Sequence, residues 1–85
     1  MYNSNEETYP LVGGIYDHYK GGKYKVLSLA KHTETNETMV VYKSIHFGSV
    51  YVRPLDIWMS NVEIDKGFNE ATEFVQRFRK SFIGF

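Results

Sequence analysis

Residues 14–65 read GIYDHYKGGKYKVLSLAKHTETNETMVVYKSIHFGSVYVRPLDIWMSNVEID. The run contains five short segments rich in β-branched and aromatic residues, and each is followed by glycine, asparagine, proline or a polar cluster. Short apolar segments ended by such turn-forming residues are typical of small all-β domains. This part of the chain therefore predicts a mainly β fold.

The five predicted strands are Ile15–Tyr19, Tyr24–His32, Thr38–His46, Val50–Arg53 and Asn61–Asp65. In the second strand, the adjacent apolar residues Val26 and Leu27 break the alternation of apolar and polar side chains, which predicts a β-bulge. In the turn that follows, Asn36 is the residue expected in the left-handed region. Three hairpins, a tight turn and a final strand match the layout of a small SH3-like five-stranded barrel, which we predict over residues 13–66.

The segment after the fourth strand is predicted to turn once before the fifth strand begins. Pro54 has no N–H to donate to a neighbouring strand, so it ends the fourth strand. Leu55–Met59 is too short for a regular α-helix and suits a single 3₁₀ turn.

The tail beyond residue 66 has a different pattern. Four apolar residues there are spaced as on one face of a helix, namely Ala71, Val75, Phe78 and Phe82. Because Asn69 can cap such a helix, we predict a short C-terminal helix within residues 67–85, packed on the barrel. The alternative is an extended strap, since the aromatic and β-branched residues of the tail lower its helix propensity.

Size and composition limit the kind of protein that this chain can be. A chain of 85 residues has room for one hydrophobic core. It contains no cysteine, which excludes disulfides, thiolate metal sites and cysteine nucleophiles. One Trp, seven Tyr and six Phe must then supply much of the buried area. Residues 1–9 are mostly polar, and residues 1–12 are predicted to form a flexible N-terminal arm.

The charge balance argues against a strongly electrostatic partner. Ten basic and ten acidic residues give a formal net charge of zero, which disfavours broad attraction to nucleic acid. The sequence has neither a signal-peptide pattern nor a long apolar run, so we expect a cytoplasmic protein with no membrane partner.

Three motifs follow one another along the predicted strands: HYKGG at residues 18–22, HTET at residues 32–35 and VRPL at residues 52–55. In this order they resemble a family of small bacterial domains, domain-of-unknown-function family 1653. The similarity runs from about Gly13 to Asp65 and extends weakly into the tail. The resemblance implies a small, mostly β, bacterial cytoplasmic domain without an established activity, so it assigns no functional residue.

Polar aromatic side chains and one arginine are predicted at strand ends or beside the tight turn. The candidate site residues are Arg53, Trp58, Tyr42, Tyr19, His18 and His32, and Tyr16 and Tyr51 belong to the same predicted aromatic set. Tyrosine and tryptophan provide rigid apolar area with a polar tip, and an arginine provides a planar fork for carboxylate or phosphate. We predict a non-catalytic binding module with an aromatic, arginine-containing groove for a small anionic ligand, a nucleotide-like group or an extended peptide. The alternative is that the aromatics only fill the interior and that Arg53 is paired with Asp56 or Glu34.

Two other function classes stay open. RNA could bind to the basic hairpin Lys20–Lys31 and the basic tail segment 77–80, with tyrosines stacking on bases. A small enzyme could use His18 or His32 for acid–base catalysis. The sequence contains neither a Gly-x-Ser-x-Gly elbow nor a phosphate-binding glycine loop, so the non-catalytic prediction is favoured over an enzyme, and no cofactor is expected.

The histidines and the phenylalanine-rich tail raise two further alternatives, metal binding and self-association. Three histidines lie on different predicted strands, His18, His32 and His46, with carboxylates at Asp17, Glu34 and Asp56. Imidazole and carboxylate together suit zinc or iron, but this spacing is unlike a local ligand motif, and we predict no metal site. A homo-oligomer formed through an edge strand or the phenylalanine-rich tail is a further possibility.

Overall fold

The computed structural model describes residues 10–64 and 73–81. The strands in these ranges are β1 Ile15–His18, β2 Lys23–Lys31, β3 Thr38–Ser44, β4 Val50–Pro54, β5 Asn61–Ile64, β6 Glu73–Gln76 and β7 Phe78–Lys80. One short helix, α1 Leu55–Trp58, lies between β4 and β5. The prediction of a mainly β fold is confirmed. Most of the predicted N-terminal arm, residues 1–12, lies outside the described ranges.

Five of the strands form one antiparallel sheet in the order β4-β3-β2-β1-β7, and β5 pairs with β6 in a separate two-stranded sheet. Within the described ranges β4 and β7 are edge strands that do not meet, so the sheet is open. The predicted SH3-like barrel over residues 13–66 is therefore not confirmed. The physical reason is the pairing: the predicted fifth strand pairs with β6, and β7 occupies the fifth position beside β1.

The hairpins follow the local signals in the sequence. Asn36 has a φ of 64°, as predicted for the turn between β2 and β3. The register of β2 against β3 shifts between Val26 and Ser28, which confirms the predicted bulge. Val26 lies opposite Tyr42 and Leu29 lies opposite Val40. Tyr42 and Val40 share a face of β3, so Val26 and Leu29 share a face of β2 although they are three residues apart. This is possible because the bulge inserts one extra residue between them.

The turn after β4 is α-helical, so the predicted 3₁₀ turn at Leu55–Met59 was wrong in type. The Met59 N–H donates to the Leu55 carbonyl over 3.0 Å, an i to i−4 bond that closes one α-helical turn. The Ser60 N–H then donates to the Ile57 carbonyl over 3.1 Å, so the chain tightens to 3₁₀ geometry only where the helix ends. This single turn places Trp58 in the core.

The described part of the tail, residues 73–81, is extended, so the predicted C-terminal helix was wrong there. β7 pairs with β1, with Phe78 opposite His18 and Lys80 opposite Tyr16. Aromatic and β-branched residues favour strands, and an edge of the sheet was available to satisfy their backbone groups. The predicted cap Asn69 and the ends of the predicted helix lie outside the described ranges. None of the helical segments that the structure describes is long and apolar enough to cross a membrane.

The core lies on one face of the five-stranded sheet and is mostly aromatic. Its buried residues are Tyr16, Val26, Val40, Tyr42, Trp58 and Phe78. The rings of Trp58 and Phe78 are stacked, with centroids 3.7 Å apart and planes 2° apart. The ring edges of Tyr16 and Tyr42 meet Trp58 at 77° and 70°, the edge-to-face geometry that aromatic pairs favour. Helix α1 and strand β7 therefore close the same side of the sheet by contributing one stacked ring each.

Candidate functional site

A cavity of about 190 Å³ opens on the core side of the sheet, next to the stacked rings. Its lining is aromatic with one arginine: His18, Tyr24, Tyr42, Tyr51, Arg53 and Phe78. We call these six residues the aromatic groove. Strand register brings them together, because cross-strand partners point to the same face of a sheet. Tyr42 lies opposite Tyr51, and His18 lies opposite Phe78.

Arg53 is held in the groove without an acidic partner. Its Nε donates to the Tyr42 hydroxyl over 3.1 Å, and its guanidinium carbon lies 5.5 Å from the centroid of the Phe78 ring. The ion pair found in residues 10–64 and 73–81 joins Lys23 to Asp17, and none involves Arg53. The alternative that Arg53 pairs with Asp56 or Glu34 is therefore not seen. Tyr42 thus orients one edge of the guanidinium, and no acidic side chain within residues 10–64 and 73–81 is paired with it.

His18 is the second polar group of the groove, and it is neutral near neutral pH. Its Nδ1 accepts a hydrogen bond from the Lys20 N–H over 3.2 Å, which places the proton of the neutral ring on Nε2. Burial lowers the pKa of His18 below its ordinary value, and the positive charges of Arg53, Arg77 and Lys20 lower this pKa further. Burial and these positive charges thus favour the neutral ring, whose N–H at Nε2 can serve as a donor.

We expect a proton NMR titration of the His18 ring to give a pKa below the ordinary value of about 6.5. Removing the guanidinium with Arg53→Gln should raise this pKa, because a nearby positive charge disfavours the imidazolium. The matched control is Lys43→Gln, which removes a positive charge next to Tyr42 in β3 but on the opposite face of the sheet. An equal shift in both variants would contradict a specific effect of Arg53 on His18.

The structure brings three of the six predicted site residues together in the groove: Arg53, Tyr42 and His18. Trp58 is only 2% exposed and lies in the core, stacked on the groove residue Phe78. The ring of Tyr19 lies 4.8 Å from that of His18, and Tyr19 lines a neighbouring cavity of about 330 Å³.

His32 is placed apart from the aromatic groove. It lies in the turn after β2, where its Nδ1 accepts hydrogen bonds from the backbone N–H groups of Glu34 and Thr35. This contact explains the HTET motif structurally, because the imidazole stabilises the turn between β2 and β3. In the part of the chain that the structure describes, no group of three or more histidine, aspartate or glutamate side chains is arranged to hold a metal ion.

Two groove residues were missed by the sequence reasoning, Tyr24 and Phe78, whereas Tyr51 belonged to the predicted aromatic set. Tyr24 could have been found, because it lies two residues before Val26 and therefore shares a face of β2 with it. Phe78 could not be placed in this way. Its position in the groove depends on the pairing of β7 with β1, and the spacing of apolar residues in the tail predicted a helix instead.

Comparisons with known proteins agree with the fold and give no activity. Residues 14–80 match the family described as "Protein of unknown function (DUF1653)". A solved structure, the crystal structure of a DUF1653 protein from Bordetella bronchiseptica, is similar to the chain with a TM-score of 0.67 and 32% sequence identity. The similarity covers 84% of this chain and 87% of the Bordetella chain. No curated protein is significantly similar to the sequence.

Proposed function

We propose that this protein is a non-catalytic binding module. The chain belongs to the DUF1653 family of proteins of unknown function. Its aromatic groove binds a small anionic group, a carboxylate or a phosphate, that is attached to a planar or apolar moiety. The observation that carries this proposal is Arg53, which is oriented by Tyr42 and Phe78 but has no acidic partner in the described ranges.

An oriented guanidinium favours an anionic ligand for two reasons. Hydrogen bonds to an ionised group are about twice as strong as neutral ones, and the fork of an arginine matches two oxygens of a carboxylate or phosphate. Because the Nε of Arg53 is already bonded to Tyr42, fewer rotamers are lost when a ligand binds. The neutral ring of His18 adds an N–H that can donate a hydrogen bond to an anion. No carboxylate in the described residues is paired with His18.

The lining of the groove supports a planar or apolar moiety beside the anion. Tyr24 and Tyr51 offer ring surface to a ligand, and Tyr51 is 45% exposed at the edge strand β4, whereas Phe78 forms the buried floor beneath Arg53. A volume of about 190 Å³ is below the roughly 300–1,000 Å³ of pockets that enclose a drug-sized ligand. The groove therefore suits a small group or the end of a larger molecule.

We also propose that the fold is related to that of SH3-like barrels. Hairpin-connected strands followed by one helical turn after β4 are similar to the layout of an SH3-like barrel, in which binding occurs along an aromatic edge. This is an analogy of fold, so the function rests on the groove itself. The Bordetella relative supports a bacterial origin for the chain.

RNA binding has less support from the basic hairpin. Lys23 is paired with Asp17 over 2.7 Å and also donates to the Ser81 hydroxyl over 3.1 Å. Lys31 donates to the Asn36 carbonyl and the Thr38 hydroxyl over 3.4 and 3.3 Å. Two of the lysines that would contact phosphates are thus engaged within the protein.

The test of the proposal is a chemical-shift titration of the isotope-labelled protein at pH 7.5 with phenyl phosphate and with benzoate. We expect at least one of them to shift resonances of groove residues. Arg53→Gln should weaken that binding about 10- to 100-fold, since a hydrogen bond to a charged group contributes about 1.5–3 kcal/mol. Lys43→Gln, on the opposite face, should leave the affinity unchanged. Absence of any shift with either anion, or equal affinity in Arg53→Gln, would contradict the proposal.

A further inference from the structure

We propose that two copies of this protein pair through strand β4, antiparallel to each other and about a two-fold axis at Val52. Their five-stranded sheets then join edge to edge into one continuous sheet. The partner is thus a second copy of this chain, and we call the paired strands the β4 interface. The inference goes beyond the proposed function and does not use ligand binding, so either of the two can be wrong while the other is right.

Strand β4 presents unpaired backbone groups along its outer edge. The Ser44 N–H donates to the Ser49 carbonyl over 2.9 Å, so the backbone groups of Ser49 point towards β3. Because backbone groups of successive residues point to alternate sides of a strand, those of Val50 and Val52 are divided from β3 and point outward. Pro54 belongs to the same outward set, where an edge strand tolerates a residue without an N–H. In the part of the chain that the structure describes, no strand lies on that side of β4.

β4 is also the edge strand with the least protection against pairing among the described strands. Edge strands commonly avoid pairing with other chains by carrying charged residues. β7 has Arg79 and Lys80, and β5 and β6 each have a glutamate. The single charged residue of β4 is Arg53, and its guanidinium is held at the Tyr42 hydroxyl and near the Phe78 ring on the core face. The outer edge of β4 therefore carries no charge that opposes a second strand.

Exposed apolar side chains are concentrated around this strand. Tyr51 lies opposite the core residue Tyr42, so its neighbours Val50 and Val52 lie on the other face of the sheet, where they are 56% and 58% exposed. Six of the eleven large apolar residues that are exposed in the described ranges lie within residues 45–57. Contiguous exposed apolar surface is typical of interaction sites. The formal net charge of zero also means that two copies do not repel each other strongly.

The sequence of β4 is complementary to itself when the two-fold axis passes through Val52, the central residue of the strand. On the outer face Val52 then lies opposite Val52 of the partner subunit, and Val50 lies opposite the partner's Pro54, so apolar side chains meet. On the core face Arg53 lies opposite the partner's Tyr51, and a guanidinium packs favourably on a tyrosine ring. The outward N–H groups of Val50 and Val52 donate to the partner's Pro54 and Val52 carbonyls. No like charges meet, which is the reason for choosing a second copy as the occupant.

The experiment is sedimentation equilibrium of the untagged wild-type protein from about 10 µM to about 1 mM. A strand of five residues per copy buries less than the roughly 1,200–2,000 Å² of stable interfaces, so we expect a weak dimer with a Kd of about 0.1 mM.

Val52→Lys and Val52→Glu test the position of the two-fold axis. Each variant places like charges directly opposite each other, so each should weaken self-association about 10-fold or more. An equimolar mixture of the two should restore association to within about 3-fold of the wild type, because an ammonium and a carboxylate then meet across the axis. The matched control is Phe74→Lys, which adds the same charge at a residue of the edge strand β6 that is 66% exposed, and it should leave association unchanged.

Three outcomes overturn the β4 interface. A wild-type protein that stays monomeric up to about 1 mM refutes it. Self-association that Val52→Lys does not weaken places the contact elsewhere, and a loss in both variants without recovery on mixing refutes the axis at Val52. A backbone amide spectrum of each variant that matches the wild type shows that the fold is retained.

Hydrogen exchange at the Val52 amide distinguishes a second copy from another occupant of the edge. In the dimer this N–H is hydrogen-bonded across the axis, so its protection should increase with protein concentration. Protection that does not depend on concentration would mean that another segment of the same chain covers β4, which contradicts the inference. Binding of phenyl phosphate to the aromatic groove is measured separately, so none of these results decides the proposed function.

Discussion

Replacing Trp58 with alanine is expected to lower the free energy of unfolding by about 3–5 kcal/mol. Trp58 is 2% exposed and packs face to face on Phe78, while the ring edges of Tyr16 and Tyr42 meet it from the sheet. Its removal leaves a cavity that these rings cannot fill without giving up their own contacts. A domain of 85 residues has a total stability of only about 4–13 kcal/mol, so the variant should be close to unfolding at 25 °C.

The matched control for this effect is Ile57→Ala in the same helical turn. Ile57 is 42% exposed, and its truncation removes little buried area, so the expected loss is about 1 kcal/mol or less. Urea unfolding measures the free energy of unfolding of both variants. Far-UV circular dichroism is used as the signal, because Trp58→Ala removes the tryptophan fluorescence. A loss of less than about 1.5 kcal/mol for Trp58→Ala would contradict a core organised around this ring.

The β part of the fold could be predicted from the sequence because its signals are local. The asparagine with a positive φ, the broken alternation at Val26 and the proline at the end of β4 each act through neighbouring residues. Asn36 and the β2 bulge were therefore found at the correct positions. The type of the turn after Pro54 was not, because α and 3₁₀ geometry differ by one hydrogen bond that depends on where Trp58 is buried.

The pairing of the strands could not be predicted, because it depends on contacts that are distant in sequence. β7 lies beside β1, which is about sixty residues earlier in the chain, and this pairing leaves no local trace in the sequence. β5 pairs with the next strand, β6, and this hairpin was missed because the tail was predicted to be helical. The spacing of apolar residues from Val75 to Phe78 fits both a helix and an interrupted strand. The tail is extended because its backbone groups can form hydrogen bonds with the edge of β1.

The candidate site shows the same division between local and distant information. Arg53 and Tyr42 were predicted as site residues, and their cross-strand arrangement follows from the β3–β4 hairpin alone. His32 was proposed for the site because of its residue type, but its nearest polar groups are the backbone N–H groups of its own turn. The floor of the groove was missed because Phe78 comes from β7. A site built from adjacent hairpins can thus be predicted in outline, and its remaining wall needs the structure.

Core and candidate site are built from the same rings in this protein. Phe78 stacks on Trp58 in the core and also lies beneath the Arg53 guanidinium in the groove. An 85-residue chain without disulfides has few other ways to hold an arginine in a fixed position. The orientation of the Arg53 guanidinium and the stability of the fold are therefore coupled through one side chain, Phe78.

Phe78→Ala is accordingly expected to lower the free energy of unfolding by about 3–5 kcal/mol. Phe78 is 6% exposed and contacts the rings of Trp58, Tyr42 and His18, so its removal opens a cavity at the centre of the aromatic cluster. The double variant with Trp58→Ala should lose less than the two single losses added together, because the stacked pair is removed only once.

Phe74→Ala is the matched control, and it also tests the strand assignment of the tail. On a helix, residues four apart lie on the same face, so Phe74 and Phe78 would be buried together. In the strands of the structure Phe74 is 66% exposed on β6, and only Phe78 reaches the core. The expected loss for Phe74→Ala is therefore about 0.5 kcal/mol or less. Equal, large losses for both phenylalanines in urea unfolding would contradict the β6–β7 arrangement and restore the helix, because only a shared face would bury both rings.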